Sequence, residues 1–269
     1  MGFYLWLKKA SLVGAFFVPG IWLSTVQAEA FCPAPASLAQ VDVQRVVDGD
    51  TVRLKDGRNV RMIGINAPET GKKGRSDEPF AVAARQRLQA LVQASGGRVG
   101  LVPGREAKDH YGRTLAHLYG ADGRNLEAQL LADGLGFQVG VAPNIDLVGC
   151  QQAAEDSARK ARVGLWRDSP VRTVAQIKRS GFTVISGQVR SIERNSGGIW
   201  IELQGSLVLR IAPDQARQFD TRLLSGLQGK TVEARGWVQD RARRGGLKTH
   251  QARWLLPLTD SSMLKVQRE

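Results

Sequence analysis

The chain has 269 residues, of which 42% are hydrophobic and 23% charged. That balance excludes an intrinsically disordered protein and supplies apolar material for one large core or two small ones. A formal net charge of +13 and an isoelectric point near 10.3 favour polyanionic partners without choosing among nucleic acid, anionic lipid and acidic polymer.

In chain order, Lys8 and Lys9 precede an uncharged run from Ala10 to Ala28 that ends in Val26-Gln27-Ala28. A positive head, an apolar middle and small residues before a cut predict a secretory signal peptide over residues 1–28. Pro19-Gly20 and the polar Ser24–Gln27 end argue against a stable membrane span once the signal is removed, an uncleaved anchor being the alternative. The protein is therefore expected to be exported, to the periplasm or outside the cell. Removing residues 1–28 leaves 36 basic and 25 acidic residues, a net charge of +11, so the basic bias belongs to the mature chain. Cys32 and Cys150 are the two cysteines. In an oxidising compartment a Cys32–Cys150 disulfide is expected, with two buried thiols as the alternative.

From Val41 short apolar strands alternate with turns: 41–47, 51–54 and 59–65, punctuated by Asp48-Gly49 and Asp56-Gly57. Residues 78–95 read as an amphipathic helix with Phe80, Ala84, Leu88, Leu91 and Val92 on one face. Strands follow near 98–102 and 114–120, then short helices over 125–133 and 150–162, ended by Gly134 and Gly164. The pattern predicts a mainly β, α+β class: an OB-type five-stranded barrel with three helices over 41–168. A polar, Pro-containing joint is expected over 169–180. Beyond it, five strands interrupted by one helical stretch predict a second small OB-like barrel over 181–259 that binds nucleic acid.

The stretches VVDGDTVRL (46–54) and VRMIGINAPET (60–70) concentrate acids beside an arginine. Asp50 at a strand start and Asn66 at a neighbouring strand end form an oxygen-rich pair suited to a hard cation such as calcium. Glu69 follows Pro68, which stiffens the turn, and is suited to hold and deprotonate a water. Arg61 and Arg113, the latter in DHYGR (109–113), carry guanidinium forks that match phosphate oxygens. Asp48 reads as a turn residue capping its own loop. His110, His117 and His250 have no zinc-like spacing, which argues against a zinc enzyme.

These two stretches, with DHYGRTLAHLY (109–119) and the final GLW (164–166), resemble the thermonuclease (micrococcal nuclease-like) family in order and spacing from about Val41 to Trp166. The resemblance implies an OB-type barrel with three helices and calcium-dependent cleavage of DNA or RNA. It implies Asp50 as a calcium carboxylate, Glu69 as general base, Arg61 and Arg113 as phosphate clamps, the Ala67 carbonyl as a further metal donor, and Tyr111 near the substrate phosphate. Two positions depart from the family pattern. Asn66 stands where aspartate is usual, which removes one anionic ligand. Gly140 and Ala142 stand where family members carry tyrosines that stack on a base. The second barrel, with Trp200, Trp237 and Trp254 among arginines, is the natural source of the missing affinity.

The reading is an exported, monomeric, calcium-dependent nuclease (a phosphodiester hydrolase). The alternatives are a nucleic-acid-binding protein whose metal site is crippled by Asn66 and, third, an adhesin for anionic envelope polymers.

Overall fold

The computed structural model describes residues 1, 2, 31–71, 74, 76–245, 247 and 251–267. The expected signal peptide lies almost wholly outside them. The first part is built from β1 (Ala39–Asp48), β2 (Thr51–Leu54), β3 (Asn59–Met62), β4 (Ile65–Asn66), α1 (Ala81–Ala94), β5 (Arg98–Lys108), β6 (Thr114–Tyr119), α2 (Leu126–Ala132), β7 (Phe137–Gln138) and α3 (Val148–Ala161). β1, β2, β3, β6 and β5 close a barrel in that order, antiparallel throughout except for the parallel β3–β6 pair. Inward-facing Val52, Leu54, Val60, Met62 and Leu118 fill it, and Leu88 of α1 with Leu126 and Leu130 of α2 cover it. The apolar spacing of α1 reads as expected with one exception. Phe80 has φ 68, in the left-handed region, so it caps the helix and Ala81 opens the buried face. Cys32 and Cys150 are disulfide-bonded with their Cα atoms 5.4 Å apart, which ties the start of the described chain to α3. Closing 118 residues of sequence stabilises by roughly 4–5 kcal/mol in the chain-entropy picture.

The second part contains β8 (Val171–Thr173), β9 (Gly181–Asn195), β10 (Gly198–Leu203), β11 (Leu207–Ile211), α4 (Thr221–Ser225), β12 (Thr231–Asp240), β13 (Trp254–Leu258) and β14 (Leu264–Val266). The long β9 pairs with β12 along its first half and with β10 along its second, which closes the order β9-β10-β11-β13-β12 into a second barrel. β11–β13 is its parallel pair. Number the barrel strands one to five in sequence order, and both barrels read 1-2-3-5-4, with 3 and 5 parallel and helical structure between 3 and 4. The two OB-like barrels thus share a topology although no fixed-period repeat marks it in the sequence. The stretch expected as a joint, 169–180, carries β8, parallel to β9, and a 3-10 turn at Val174–Gln176. β14 extends the sheet past residue 259 along β12. No helix among the described residues is long and apolar enough to cross a membrane.

The barrels meet along β7 and the residues after it. Val139 belongs to the apolar core of the second barrel, and the Thr259 hydroxyl donates to the Gly140 carbonyl at 2.9 Å. A Cβ on Gly140 would lie 2.5 Å from Ser262 Oγ and 2.8 Å from Asp260 Oδ1, so only glycine permits this approach. This chain therefore seats its second barrel on Gly140. Beside the seam, Arg235 of β12 pairs with Glu155 of α3 at 2.6 Å and Glu233 at 2.8 Å, and Arg159 pairs with Glu233 at 2.6 Å. Gln138 donates its backbone N–H to Glu155 and accepts from Arg235 through its carbonyl.

Candidate active site

The site grows from the turn between β1 and β2. Asp48 accepts the Asp50 backbone N–H at 3.2 Å, the self-capping turn expected of it. Between them, a Cβ on Gly49 would lie 2.6 Å from the Cβ atoms of both Ala67 and Ala84. Glycine is thus what lets this turn press against the 63–69 loop and α1. The sequence signal, an Asp-Gly pair, occurs at ordinary turns as well, so this role was not legible. The close approach brings Asp50 Oδ2 to 2.8 Å from the Ala67 backbone N–H and 3.1 Å from an Arg61 nitrogen. Its other oxygen accepts from the Thr51 hydroxyl at 3.1 Å.

Arg61 is held in place by the backbone. One terminal nitrogen donates to the Met62 and Ile65 carbonyls at 2.8 and 2.9 Å, and the other reaches Asn66 Oδ1 at 3.4 Å as well as Asp50. The arginine therefore gathers the Asp50 carboxylate and the Asn66 amide oxygen on one side of its fork. Asn66 is fixed in turn by β4, where it pairs with Phe137 of β7. Asp50 is 4% exposed. Burial raises its pKa to about 6, against the attraction of Arg61, and the neighbouring charges of Asp48 and Glu69 push the same way. One arginine, shared among four acceptors, leaves this acid short of positive charge.

Glu69 stands exposed two residues past Ala67. Its backbone and that of Glu78 are joined by Glu78 N–H to the Glu69 carbonyl at 3.0 Å, and the Glu69 N–H donates to the Glu78 carboxylate at 3.0 Å. Its carboxylate acts on Asp50 through space.

Arg113 and Tyr111 form a second group on the turn before β6. Arg113 Nε donates to Asp109 Oδ2 at 2.7 Å, and its guanidinium lies 5.4 Å from the centre of the Tyr111 ring. Burial alone would raise the Asp109 pKa, but the Arg113 side-chain and backbone hydrogen bonds hold it below the usual range. Tyr111 is 74% exposed. This group is tied to the first by the parallel ladder, in which Thr114 pairs with Val60 and Leu115 with Arg61. The fold thus joins Asp50, Arg61, Asn66 and Ala67 by hydrogen bonds and an ion pair, Glu69 by its field, and Arg113 with Tyr111 by strand register.

Among the described residues no group of three His, Cys, Asp or Glu side chains could hold a metal ion. That agrees with an amide at position 66. The Asp50 carboxylate and the Asn66 amide oxygen are nonetheless an all-oxygen donor pair, the type a hard cation takes, and the burial-raised Asp50 pKa marks a carboxylate that a cation would stabilise. The residues present fit calcium, with Asp50 as the one anionic ligand of the pair.

Residues 59–168 match the family model described as staphylococcal nuclease homologue. The chain is 35% identical over 127 residues to the thermonuclease of Staphylococcus intermedius, a match covering 46% of this chain and 74% of that protein. It is 33% identical over 128 residues to the thermonuclease of Staphylococcus hyicus, covering 46% and 73%. The SPbeta prophage-derived endonuclease YokF of Bacillus subtilis is 31% identical over 133 residues, 48% of this chain and 44% of its own length. With the barrel, the motif order and these matches together, the chain belongs to the staphylococcal nuclease-like (thermonuclease) family.

Proposed function

We propose that this protein, a phosphodiester-hydrolysing nuclease by family, is exported and cuts DNA or RNA in a calcium-dependent reaction at the Asp50–Arg61–Glu69–Arg113 site. The observation that carries the proposal is Asp50: a buried carboxylate whose single arginine partner is shared with three other acceptors. Asp50, Asn66 and the Ala67 carbonyl would hold the ion. When bound, calcium would supply positive charge to the phosphate oxygens.

The chain's own residues account for the rest. Glu69, exposed on a proline-stiffened turn, accepts a proton from water as the water oxygen bonds to phosphorus. The bond from phosphorus to the leaving ester oxygen breaks, and that oxygen takes a proton from solvent water on departure. Arg61, oriented by two backbone carbonyls, and Arg113, oriented by Asp109, stabilise the negative charge that grows on the phosphoryl oxygens. Tyr111 stands exposed beside Arg113, in reach of substrate phosphate or base. The disulfide is compatible with an oxidising compartment outside the cytoplasm.

Asn66 supports one rival, a binding protein with an impaired metal site. Purified protein lacking residues 1–28, mixed with plasmid or single-stranded DNA in calcium or in EGTA, separates the two. Calcium-dependent cutting that Glu69→Gln abolishes is the expected result. Salt-sensitive binding without cutting in either buffer would overturn the enzymatic reading.

A further inference from the structure

The basic surplus is unevenly placed. Residues 29–168 carry 19 Lys and Arg against 17 Asp and Glu, a net +2, whereas residues 169–269 carry 17 against 8, a net +9. The part that contains the catalytic candidates is nearly neutral, and the second barrel holds the charge that attracts polyanions.

The three tryptophans of that barrel differ in what they can offer. Trp254 is buried beneath the Arg253 guanidinium. Trp200 donates its indole N–H to Asn195 at 3.0 Å and pairs with Glu193 of β9, which carries the same sign of charge as phosphate. Its stacked Arg210 is held by the Gly197 carbonyl. Trp237 alone of the three is exposed, at 40%. Its ring meets Phe182 edge-on at 5.2 Å, and Phe182 meets Phe137 at 5.3 Å. Phe137 is the residue that pairs with Asn66. A row of aromatic rings therefore runs from the candidate active site to the surface of the second barrel.

Cations gather at the end of that row. β9 and β12 are antiparallel, with Trp237 opposite Phe182 and Val238 opposite Gly181. Lys178 and Arg179, just before β9, and Arg241 and Arg243, just after β12, thus lie at the same end of the ladder as the two rings. Lys178 and Arg179 are exposed and enter no ion pair among the described residues. Asp240, the acid in these segments, is neutralised by Arg253 at 2.8 Å.

We propose that Trp237 and Phe182, flanked by Lys178, Arg179, Arg241 and Arg243, form a track for single-stranded nucleic acid leading away from the scissile bond. A base stacks on the exposed indole while the backbone phosphates follow the cations. A duplex, whose base faces are covered by their neighbours, cannot use the ring. The direction of the strand rests on the nuclease reading, but the binding surface does not.

The test is fluorescence anisotropy of a labelled oligothymidylate in EGTA, which reads binding without cutting. Trp237→Ala is expected to weaken binding about 5- to 150-fold, the equivalent of about 1–3 kcal/mol for one stacked base, and Trp237→Phe to restore most of it. A duplex of equal length is expected to bind both proteins alike. Lys178→Ala with Arg179→Ala is expected to reduce the slope of log affinity against log salt by roughly 1.4, two contacts at about 0.7 each. Circular dichroism and a thermal melt of each variant establish that it is folded. Unchanged oligothymidylate affinity in folded Trp237→Ala, or equal losses for single strand and duplex, would overturn the track. If the ring instead docks a protein partner, the anisotropy will not respond to Trp237→Ala, which is the first of those outcomes. A protein that never cuts DNA but loses single-strand affinity with Trp237→Ala would refute the nuclease reading and keep the track.

Discussion

Two buried clusters of acids and arginines lie on either side of β7, and they are balanced differently. At the seam, two arginines face two glutamates: Arg235 and Arg159 both reach Glu155 and Glu233. Burial alone would raise the pKa of Glu233, yet Arg159 and Arg235 outweigh it and hold the pKa below its usual value. At the candidate active site, one arginine serves Asp50, Asn66 and two backbone carbonyls, and burial wins: the Asp50 pKa rises to about 6. The first cluster is complete and joins the barrels. The second is short of one cation, which is the charge that the proposed metal ion would supply.

The largest expected effect separates the clusters by function. Glu69→Gln should lower the cutting rate by about 10²- to 10⁴-fold, since it removes the proposed proton acceptor, while leaving the melting temperature nearly unchanged. Initial rates on single-stranded DNA, with a melt of the same sample, check this. Arg235→Ala should do the reverse to stability. It leaves two buried glutamates to share Arg159 alone and should cost up to about 3–5 kcal/mol in urea unfolding.

The pH dependence of stability should carry opposite signs for the two clusters. In EGTA, folded Asp50 holds its proton up to about pH 6, whereas the unfolded residue releases it near 3.8. Its contribution is therefore lost as pH rises between those values, and Asp50→Asn should remove that slope. For Glu233 the folded pKa is depressed, so its stabilisation is present above the unfolded value and fades as pH falls. Glu233→Gln should remove that acid-side loss. Unfolding free energies measured across this range distinguish the two. The smallest effect is expected from Asn66→Asp, which restores an anionic ligand and should tighten calcium binding by roughly tenfold, about 1.4 kcal/mol.

What was legible in the sequence follows from distance along the chain. The strands of both barrels announce themselves because turn residues and alternation act over a few positions, and Asp50, Arg61, Asn66 and Glu69 fall within one short stretch. Arg113 was reachable only through its motif. The clamp was not readable, because Glu155 and Arg235 are 80 residues apart and nothing local marks either as a partner of the other. β8 and β14, each three residues long, exist through their pairing with β9 and β12. The left-handed turn at Phe80 and the exposure of Trp237 rather than Trp254 are likewise set by tertiary packing, which periodicity does not encode. The packing of the second barrel against Gly140 needed the fold, because Ser262 and Asp260 lie 120 or more residues further along the chain.

The central claim is that Asp50 lies in a pocket lacking one cation. Calcium titrated calorimetrically into the wild-type protein and into Asp50→Asn at neutral pH tests it most directly. A binding isotherm in the wild type that Asp50→Asn abolishes is the predicted result. Calcium heats that survive the substitution unchanged, or cutting that proceeds undiminished in EGTA, would contradict the account.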